Sequence, residues 1–258
     1  MSDIDALLAD YGDTFTLVVD ACQARITTPA IEKYLDRGAI ILMTGSKFIG
    51  APPFNGWAIV PAHISGKAHC LPDGFATIFR SAEWPDCWPG RNALPSTSNL
   101  SLALRLEAAI FELERFQQIE MQKLTAMIDA FERALEEHVI APLAIRRVLP
   151  SAGGSKVECP IEMRTLLTLD MTQLPSLSTI EDAQAIHRSL AFDGIRLGQP
   201  VKCVRKADGW GGTLRIGLSM PQLIRWAGLP LTECKAQLAH DMSRIANAIS
   251  QQVALIQR

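Results

Sequence analysis

The sequence predicts an α/β fold that opens with a mixed sheet and ends in a smaller α+β unit. In the first hundred residues, three apolar and β-branched runs alternate with helical patterns: TFTLVVDA (14–21), AIILMTGSK (39–47) and GWAIVP (56–61). Continuous apolar strands that alternate with helices are typical of a parallel or mixed sheet covered on both faces. An apolar helical period then runs from Leu100 to about Val139, and short strands and helices follow it.

The elements of the first part have clear local boundaries. A short helix over DIDALLADYGD (3–13) is predicted to stop near Gly12. The segment PAIEKYLDRG (29–38) has a proline near its start, an amphipathic body and a final glycine, which is the pattern of a short helix. The turn-rich GAPPFNG (50–56) separates the second and third strands.

After Leu100 we expect one long helix or a bent pair of helices that bridges two domains. Beyond it, SAGGSKVECP (151–160) is predicted to be a loop, and STIEDAQAIHRSLAFDG (178–194) a capped helix with Glu181 three residues after the cap and Gly194 as its stop. Strands are predicted at 165–171, 195–204 and 212–219, and closing helices at 220–228 and 232–257. The expected domains are therefore a partial large domain (1–100), a connecting helix (101–140) and a small α+β domain (141–258).

Composition excludes several functional classes. The formal net charge of −2 and the pI near 6.2 give no reason to expect nucleic acid or an anionic membrane as a partner. No apolar run approaches the ~18 to 20 residues that cross a bilayer, and the N-terminus is acidic, unlike a signal peptide, so we expect a cytoplasmic protein. The six cysteines show no metal-ligand spacing, which predicts reduced thiols and no zinc site.

An acid and a lysine stand at the ends of two neighbouring predicted strands. Asp20 ends the first apolar run and Lys47 ends the second. Pyridoxal phosphate (PLP) requires a lysine for its Schiff base, a carboxylate for its pyridine nitrogen and several donors for its phosphate. Ligands of open α/β sheets bind at such strand ends. The residue types alone leave a surface ion pair as the alternative.

The motif around these two residues resembles a known cofactor site. D-A-C-Q-A-R, a short helix and T-G-S-K-F-x-G-x-P-P-F-x-G are similar to the cofactor region of fold-type I PLP enzymes, which have an aspartate aminotransferase-like fold. The similarity is strongest to the class V aminotransferase group, which includes cysteine desulfurases and kynureninases. The resemblance implies that Lys47 is the Schiff-base lysine and that Asp20 pairs with the pyridine nitrogen. It further implies that Gln23 reaches the phenolic oxygen and that Thr44 and Ser46 hold the phosphate. Ser46 stands where desulfurases usually have histidine, which argues against that subgroup.

Further resemblances are less specific. ALPSTSNLSLALRLEAA (93–109) resembles the loop and helix that reach a neighbouring subunit's phosphate, so Ser96 and Thr97 are candidates for a shared site. The alternative for this loop is a helix N-cap at Ser98 or Asn99. TLRIGLS (213–219) resembles the strand whose arginine clamps the substrate carboxylate, which makes Arg215 the substrate-binding candidate. Its alternative is a surface arginine on an edge strand.

Cys203 lies in the region where cysteine desulfurases have their catalytic cysteine. Lys202 and Arg205 are close to it in sequence, and a persulfide-forming thiol needs exposure and a nearby cation. However, Gly-Gln-Pro-Val replaces the arginine and histidine run that those enzymes usually have there. An ordinary strand cysteine is the safer interpretation.

The resemblance also implies that part of the enzyme precedes this chain. In fold-type I enzymes a phosphate-binding turn and a ring-stacking residue come well before the aspartate, whereas 19 residues precede Asp20 here. Three accounts fit: a subunit of a split enzyme, a fragment, or a degenerate relative kept for binding. We favour a split enzyme acting on an amino-acid substrate by aminotransferase or lyase chemistry. A second polypeptide would supply the N-terminal half, in a hetero-oligomer such as a dimer of heterodimers. The alternatives are a non-catalytic scaffold or regulatory subunit and a desulfurase-like sulfur donor.

Overall fold

A computed structural model describes residues 2–12, 14–66, 69–149 and 161–256. The chain divides into two compact units, Met1–Glu114 and Arg115–Arg258. This division falls inside the helical stretch that follows Leu100. The predicted loop at 151–160 and Cys159 lie outside the described residues.

The first unit is built around a short mixed sheet. Its helices and strands, in chain order, are α1 (Ser2–Tyr11), β1 (Val18–Asp20), α2 (Thr28–Leu35), β2 (Ile40–Met43), β3 (Trp57–Ile59), α3 (Ala62–Ser65) and α4 (Leu100–Gln117). Short 3₁₀ helices lie at Asp73–Thr77, Ser81–Glu83 and Arg91–Ala93. Helix α2 starts where the sequence predicts, because the Thr27 hydroxyl accepts a hydrogen bond from the Ala30 amide and Pro29 occupies the first turn.

The sheet has the order β1-β2-β3. β1 runs parallel to β2, with Asp20 opposite Leu42, and β3 runs antiparallel to β2, with Ala58 opposite Leu42. A mixed sheet is therefore present, as the sequence predicts.

One face of this sheet remains open within the unit, which corrects the expectation of a sheet covered on both faces. Side chains alternate between the two faces of a strand. Ile41 points to the packed side and is fully buried. On the opposite side Val18 is 50% exposed and Leu42 is 39% exposed. The described part of this unit thus leaves some of the apolar surface of β1 and β2 exposed.

The second unit is an antiparallel α+β structure, also as predicted. Its elements are α5 (Met121–Leu135), a π-helical turn (Glu136–Ile140), α6 (Ala141–Leu143), β4 (Arg146–Arg147), a 3₁₀ helix (Ile161–Thr165), β5 (Leu166–Asp170), a 3₁₀ helix (Pro175–Leu177), α7 (Ile180–Phe192), β6 (Arg205–Lys206), β7 (Gly209–Trp210), β8 (Thr213–Gly217), α8 (Met220–Ala227) and α9 (Leu231–Ile256). The sheet order is β4-β5-β8 with antiparallel pairs, and β6 pairs with β7. Helix α5 packs its apolar face against α9. The core includes Met127, Ile128, Phe131, Leu135, Leu238 and Ile249.

Three sequence predictions need correction or refinement in detail. The helical stretch after Leu100 is a pair of helices, since α4 and α5 are separated at residues 118–120. The cap of α7 lies one residue later than predicted: Thr179 and Asp182 form the capping box, and Glu181 takes no part in it. No strand forms over 195–204 beyond a single bridge between Gly198 and Arg215.

The missing strand at 195–204 has a local reason. Pro200 has no backbone N–H to donate to a sheet. The next residue, Val201, hydrogen bonds through both its N–H and its carbonyl to the Thr213 hydroxyl, at 2.9 and 2.7 Å. A side chain therefore takes the place of the strand partner.

Phe54 has an unusual backbone conformation in the turn between β2 and β3. Its φ of 64° lies in the left-handed region, and its side chain is 86% exposed. A bulky residue is strained there, whereas asparagine tolerates the region better. We expect Phe54→Asn to raise the free energy of unfolding of the isolated chain by about 0.5–1 kcal/mol, measured by urea denaturation. Phe192→Asn, at another highly exposed phenylalanine, is the control and should give no gain. A loss of stability in Phe54→Asn would contradict the prediction.

None of the helices in the described ranges has both the length and the apolar composition that a membrane crossing requires.

Candidate functional site

The candidate site lies at the carboxyl edge of the parallel pair β1 and β2. Asp20 is the last residue of β1. β2 ends at Met43, and the segment Thr44–Lys47 follows it directly. Because parallel strands end at the same edge of a sheet, Asp20 and this segment are neighbours. Ligands bind at this kind of edge in open α/β sheets.

Asp20 is held in its ionised form by its own turn. Its Oδ1 accepts a hydrogen bond from the Cys22 backbone N–H at 2.9 Å. The Cys22 thiol, although its described contact is a long one to the Leu42 carbonyl at 3.8 Å, lowers the pKa of the Asp20 carboxyl most. The backbone hydrogen bond lowers this pKa further, and the Lys47 charge adds a smaller effect in the same direction. In return, the neighbouring carboxylate raises the pKa of the Cys22 thiol, so that this thiol remains protonated. The carboxylate side chain is exposed and available to a ligand.

Lys47 is exposed and acts on Asp20 through space. Among the residues that the structure describes, neither a hydrogen bond nor a salt bridge joins the two side chains. The alternative of a simple surface ion pair would require a contact within about 4 Å. Asp20 and Lys47 therefore share one edge of the sheet without a direct contact between their side chains.

The pKa of Asp20 gives a test of this turn. We expect Cys22→Ala to raise the pKa of Asp20 towards its ordinary value, because the change removes the thiol and leaves the backbone N–H. Cys22→Ser keeps a donor and should change the pKa less. The measurement is a ¹³C NMR titration of the Asp20 carboxyl group. An equal or lower pKa in Cys22→Ala would show that the thiol does not lower the pKa of Asp20.

The sign of the linked stability effect follows from the lowered pKa. A carboxyl whose pKa is lower in the folded state stabilises the fold above its unfolded-state pKa. The contribution is lost as the pH falls through the folded-state pKa. In Cys22→Ala the contribution should therefore be smaller, and its loss should be complete at a higher pH than in the wild type.

The segment Thr44–Lys47 is held mainly by hydrogen bonds to its backbone. The Gly45 N–H donates to Asn55 Oδ1 at 2.6 Å, and the Gly45 carbonyl accepts from the Ala51 N–H at 2.8 Å. The Thr44 hydroxyl donates to the Cys22 carbonyl at 3.0 Å, which ties the ends of β1 and β2 together. The Ser46 hydroxyl has a weak contact with Thr44 Oγ1 at 3.5 Å, which leaves it able to turn towards a ligand.

Gln23 lies on the same turn as Asp20. Its Oε1 accepts a hydrogen bond from Arg25 Nη1 at 2.9 Å. The Arg25 guanidinium stacks over the Phe48 ring, 4.6 Å from its centroid. Arg25 therefore orients the side chain of Gln23, and Arg25 itself packs on Phe48, the residue that follows Lys47 in the sequence.

The loop before α4 supports the capping alternative. The Asn99 Oδ1 accepts a hydrogen bond from the Leu102 N–H at 3.2 Å, so Asn99 is the N-cap of α4. Ser96 and Thr97 are exposed. Their role in a shared site remains a prediction.

Arg215 belongs to the second unit, on the edge strand β8 of its sheet. Its Nε donates to the Gln199 carbonyl at 2.6 Å, which fixes the direction of the guanidinium plane. Partial burial lowers the pKa of this guanidinium, and Cys203 opposes that effect. An arginine remains protonated at neutral pH in such a setting. The guanidinium fork suits a planar carboxylate.

Cys203 is exposed, but its surroundings favour the protonated thiol over the thiolate. Partial burial raises its pKa first, and the charge of Asp170 raises it further, while Arg215 opposes both. A raised pKa reduces the thiolate fraction at neutral pH, whereas a persulfide-forming cysteine needs a lowered one. Cys203 is a free thiol here, as are Cys22, Cys70, Cys87 and Cys234.

Sequence reasoning missed Asn55. The residue occupies the unspecified position of the P-P-F-x-G pattern, yet its side chain is 5% exposed and bonded to the lysine segment. A polar residue in a turn gives no local signal that its amide will be buried against a distant helix. Among the predicted site residues, Asp20, Gln23, Thr44, Ser46 and Lys47 lie on two adjacent strand ends.

The fold has counterparts among solved structures. No protein-family model and no curated protein matches the chain. The apo structure of a cysteine desulfurase from Thermococcus onnurineus NA1 matches over 95% of this chain and 55% of that chain, with a TM-score of 0.54 and 19% identity. The fold of this chain is similar to that of part of this cysteine desulfurase. A structure of SPT with a PLP internal aldimine matches over 96% of this chain and 51% of that chain, with a TM-score of 0.42 and 12% identity. The chain thus spans about half the length of each solved chain.

The expected fold class is confirmed in part, since the chain is similar in fold to part of the cysteine desulfurase. The class V subgroup and the reaction are finer than the comparison reaches, because 19% identity shows the fold alone.

Proposed function

We propose that this chain is the lysine-bearing subunit of a split PLP-dependent enzyme that acts on an amino-acid substrate. One observation carries the proposal: Lys47 and the ionised Asp20 stand at one edge of adjacent parallel strands, without direct contact, in a chain with a PLP-enzyme fold. The chemistry would be that of an aminotransferase or a lyase.

The residues at this edge fit PLP. Asp20 would pair with the pyridinium N–H, and its lowered pKa suits a carboxylate that must stay charged beside a cation. Lys47 presents an exposed amine for covalent attachment, and Gln23 an oriented amide for the phenolic oxygen. Ser46 would donate its hydroxyl, which has only a weak contact at 3.5 Å, to the phosphate. Thr44 would do the same only after its hydroxyl leaves the Cys22 carbonyl, to which it donates in this structure.

Each side chain would then have a defined task in the reaction. When bound, PLP supplies an electron sink for the substrate's α-carbon. The Lys47 amine would hold the cofactor until the amino group of the substrate displaces it, and the freed amine would then move the proton at that α-carbon. Asp20 keeps the ring nitrogen protonated. Arg215 would bind the substrate carboxylate through its guanidinium fork.

The proposal includes a second polypeptide that supplies the N-terminal half of the large domain. The half-exposed Val18 and Leu42 on the open sheet face support it, because monomeric proteins rarely leave an apolar sheet face uncovered. β1 is also an edge strand in the described part of the sheet, and such edges are usually paired or covered. The assembly would be a hetero-oligomer, such as a dimer of heterodimers, in which Ser96 and Thr97 contribute to a neighbouring site.

A visible absorption spectrum tests the proposal. The chain is mixed with PLP alone, and again after co-expression with the product of the neighbouring reading frame. Borohydride reduction and peptide mapping then locate any pyridoxyl group. A cofactor band in the co-expressed sample that responds to amino acids, with the adduct on Lys47, is the expected result. No band in either sample, with the second polypeptide shown to be bound, would overturn the proposal in favour of a non-catalytic scaffold.

The sulfur-donor alternative has a separate readout. It requires selective alkylation of Cys203 and formation of persulfide or sulfide from cysteine. The raised pKa of Cys203 counts against that outcome.

A further inference from the structure

We infer that Asn55 is a positioning residue for Lys47, acting through the backbone of Gly45. The inference rests on the proposed function for its catalytic consequence. Its structural basis is the set of hydrogen bonds that Asn55 makes to three separate parts of the first unit.

The amide of Asn55 is buried and its hydrogen-bonding groups are occupied. The side chain is 5% exposed. Its Oδ1 accepts from the Gly45 N–H at 2.6 Å, while its Nδ2 donates to the carbonyls of Pro52 at 3.0 Å and Arg105 at 3.3 Å. A buried amide is costly unless both its ends are bonded, so its place is fixed by all three partners together. Asn55 therefore ties the lysine segment to its own turn and to α4.

Gly45 is packed tightly in this arrangement. A Cβ at this position would lie 2.7 Å from Asn55 Oδ1 and 2.8 Å from the Cβ of Ala109 on α4. Ala109 is itself buried and, as part of a helix, cannot move away easily. The backbone at Gly45 is thus held between Asn55 on one side and α4 on the other.

The contacts at Gly45 restrict the position of the Lys47 backbone, from which the amine extends. Lys47 is two residues after Gly45 and its side chain is exposed, so the described contacts fix its backbone and leave the amine to reach a ligand. The Gly50 N–H bonds to the Lys47 carbonyl at 3.1 Å and the Ala51 N–H to the Gly45 carbonyl at 2.8 Å, which makes residues 45–51 a closed turn. Releasing Gly45 would loosen that turn at its first residue.

The experiment compares three variants with the wild type. Asn55→Ala removes the acceptor and both donations. Gly45→Ala disturbs the same contact from the other side without removing a buried polar group. Leu94→Ala is the control, since it truncates a buried residue of the same unit whose backbone bonds to Arg91 and not to the lysine segment. Urea denaturation of each variant allows comparison at matched stability.

Two readouts separate positioning from general stability. The first is native-state hydrogen exchange at the Gly45 amide in the isolated chain, which needs no cofactor. Asn55→Ala should speed it about tenfold relative to Leu94→Ala at equal stability, the change that one lost hydrogen bond of ordinary strength gives. The second is the pH dependence of the PLP absorbance in the assembled complex. Asn55→Ala and Gly45→Ala should both shift its midpoint, and Leu94→Ala should not.

The outcomes are distinguishable from those of the proposed function. Unchanged exchange at Gly45 in Asn55→Ala overturns the inference. So does a normal pH profile in both site variants when the wild type carries PLP on Lys47. If the wild-type assembly takes up no PLP at Lys47, the proposed function fails and the positioning role for Lys47 fails with it. Hydrogen exchange at the Gly45 amide then shows separately whether Asn55 fixes the segment Thr44–Lys47. If Asn55→Ala does not fold, Gly45→Ala supplies both readouts.

Discussion

Lys47→Ala is expected to abolish covalent attachment of PLP and to lower turnover of the assembled enzyme by roughly 10²- to 10⁴-fold or more, the range for loss of a general acid–base group. Two functions disappear together, because the same amine holds the cofactor and moves the proton at the substrate's α-carbon. The side chain is exposed and makes no structural contact that its removal would break within the described part of the chain. Folding and assembly should therefore be preserved. Steady-state kinetics and mass analysis after borohydride reduction are the measurements.

Lys33→Ala is the matched control for this experiment. Lys33 is an exposed lysine of the same unit, on α2, outside the proposed site. It should leave turnover and the pyridoxyl adduct unchanged. Wild-type turnover in Lys47→Ala would show that the proposed mechanism is wrong, and an adduct on another lysine would move the attachment site.

Asp20→Ala is expected to retain part of the PLP attachment at Lys47 and to lose most of the turnover. The lysine remains able to react, but the ring nitrogen loses the carboxylate that keeps it protonated, so the ring accepts electrons poorly. Asp20→Asn keeps the shape of the side chain and removes its charge, which isolates the electrostatic contribution. The measurement is turnover together with the fraction of chain labelled at Lys47.

Asp36→Ala provides a second acid for comparison. Asp36 is exposed at the C-terminal end of α2 and lies outside the site. Its replacement should leave both readouts near wild type. If Asp20→Ala turned over at the wild-type rate, its electronic role would have to be abandoned, whereas loss of labelling as well as turnover would indicate that Asp20 also binds the cofactor.

Local signals in the sequence predicted the two strand ends that make the site. Val18–Asp20 and Ile40–Met43 are apolar and β-branched, and a polar residue or turn follows each one. A helix of suitable length separates them, so a parallel pair was the natural prediction and the structure has it. The positions of Asp20 and Lys47 at one edge follow from that pairing.

Long-range partners explain what the sequence could not predict. Asn55 depends on a carbonyl of Arg105, fifty residues away along the chain, and no local pattern reveals such a contact. The segment 195–204 has strand-like composition, yet the Thr213 hydroxyl satisfies Val201 in place of a strand. The sequence also did not predict the open sheet face. An apolar run predicts that a strand is buried, but it does not show whether the same chain or another chain buries it.

The edge position of β1 affects how much of this chain can accumulate in a cell without its partner polypeptide. Within the described part of the sheet, one edge of β1 has no partner strand, and this edge, beside the exposed Val18 and Leu42, can pair with a second copy of the same chain. Under the proposed function, such self-pairing competes with the second polypeptide for one surface. Matched synthesis of the two polypeptides would then be a requirement for yield, and surplus copies of this chain would be the species that chaperones and proteases remove.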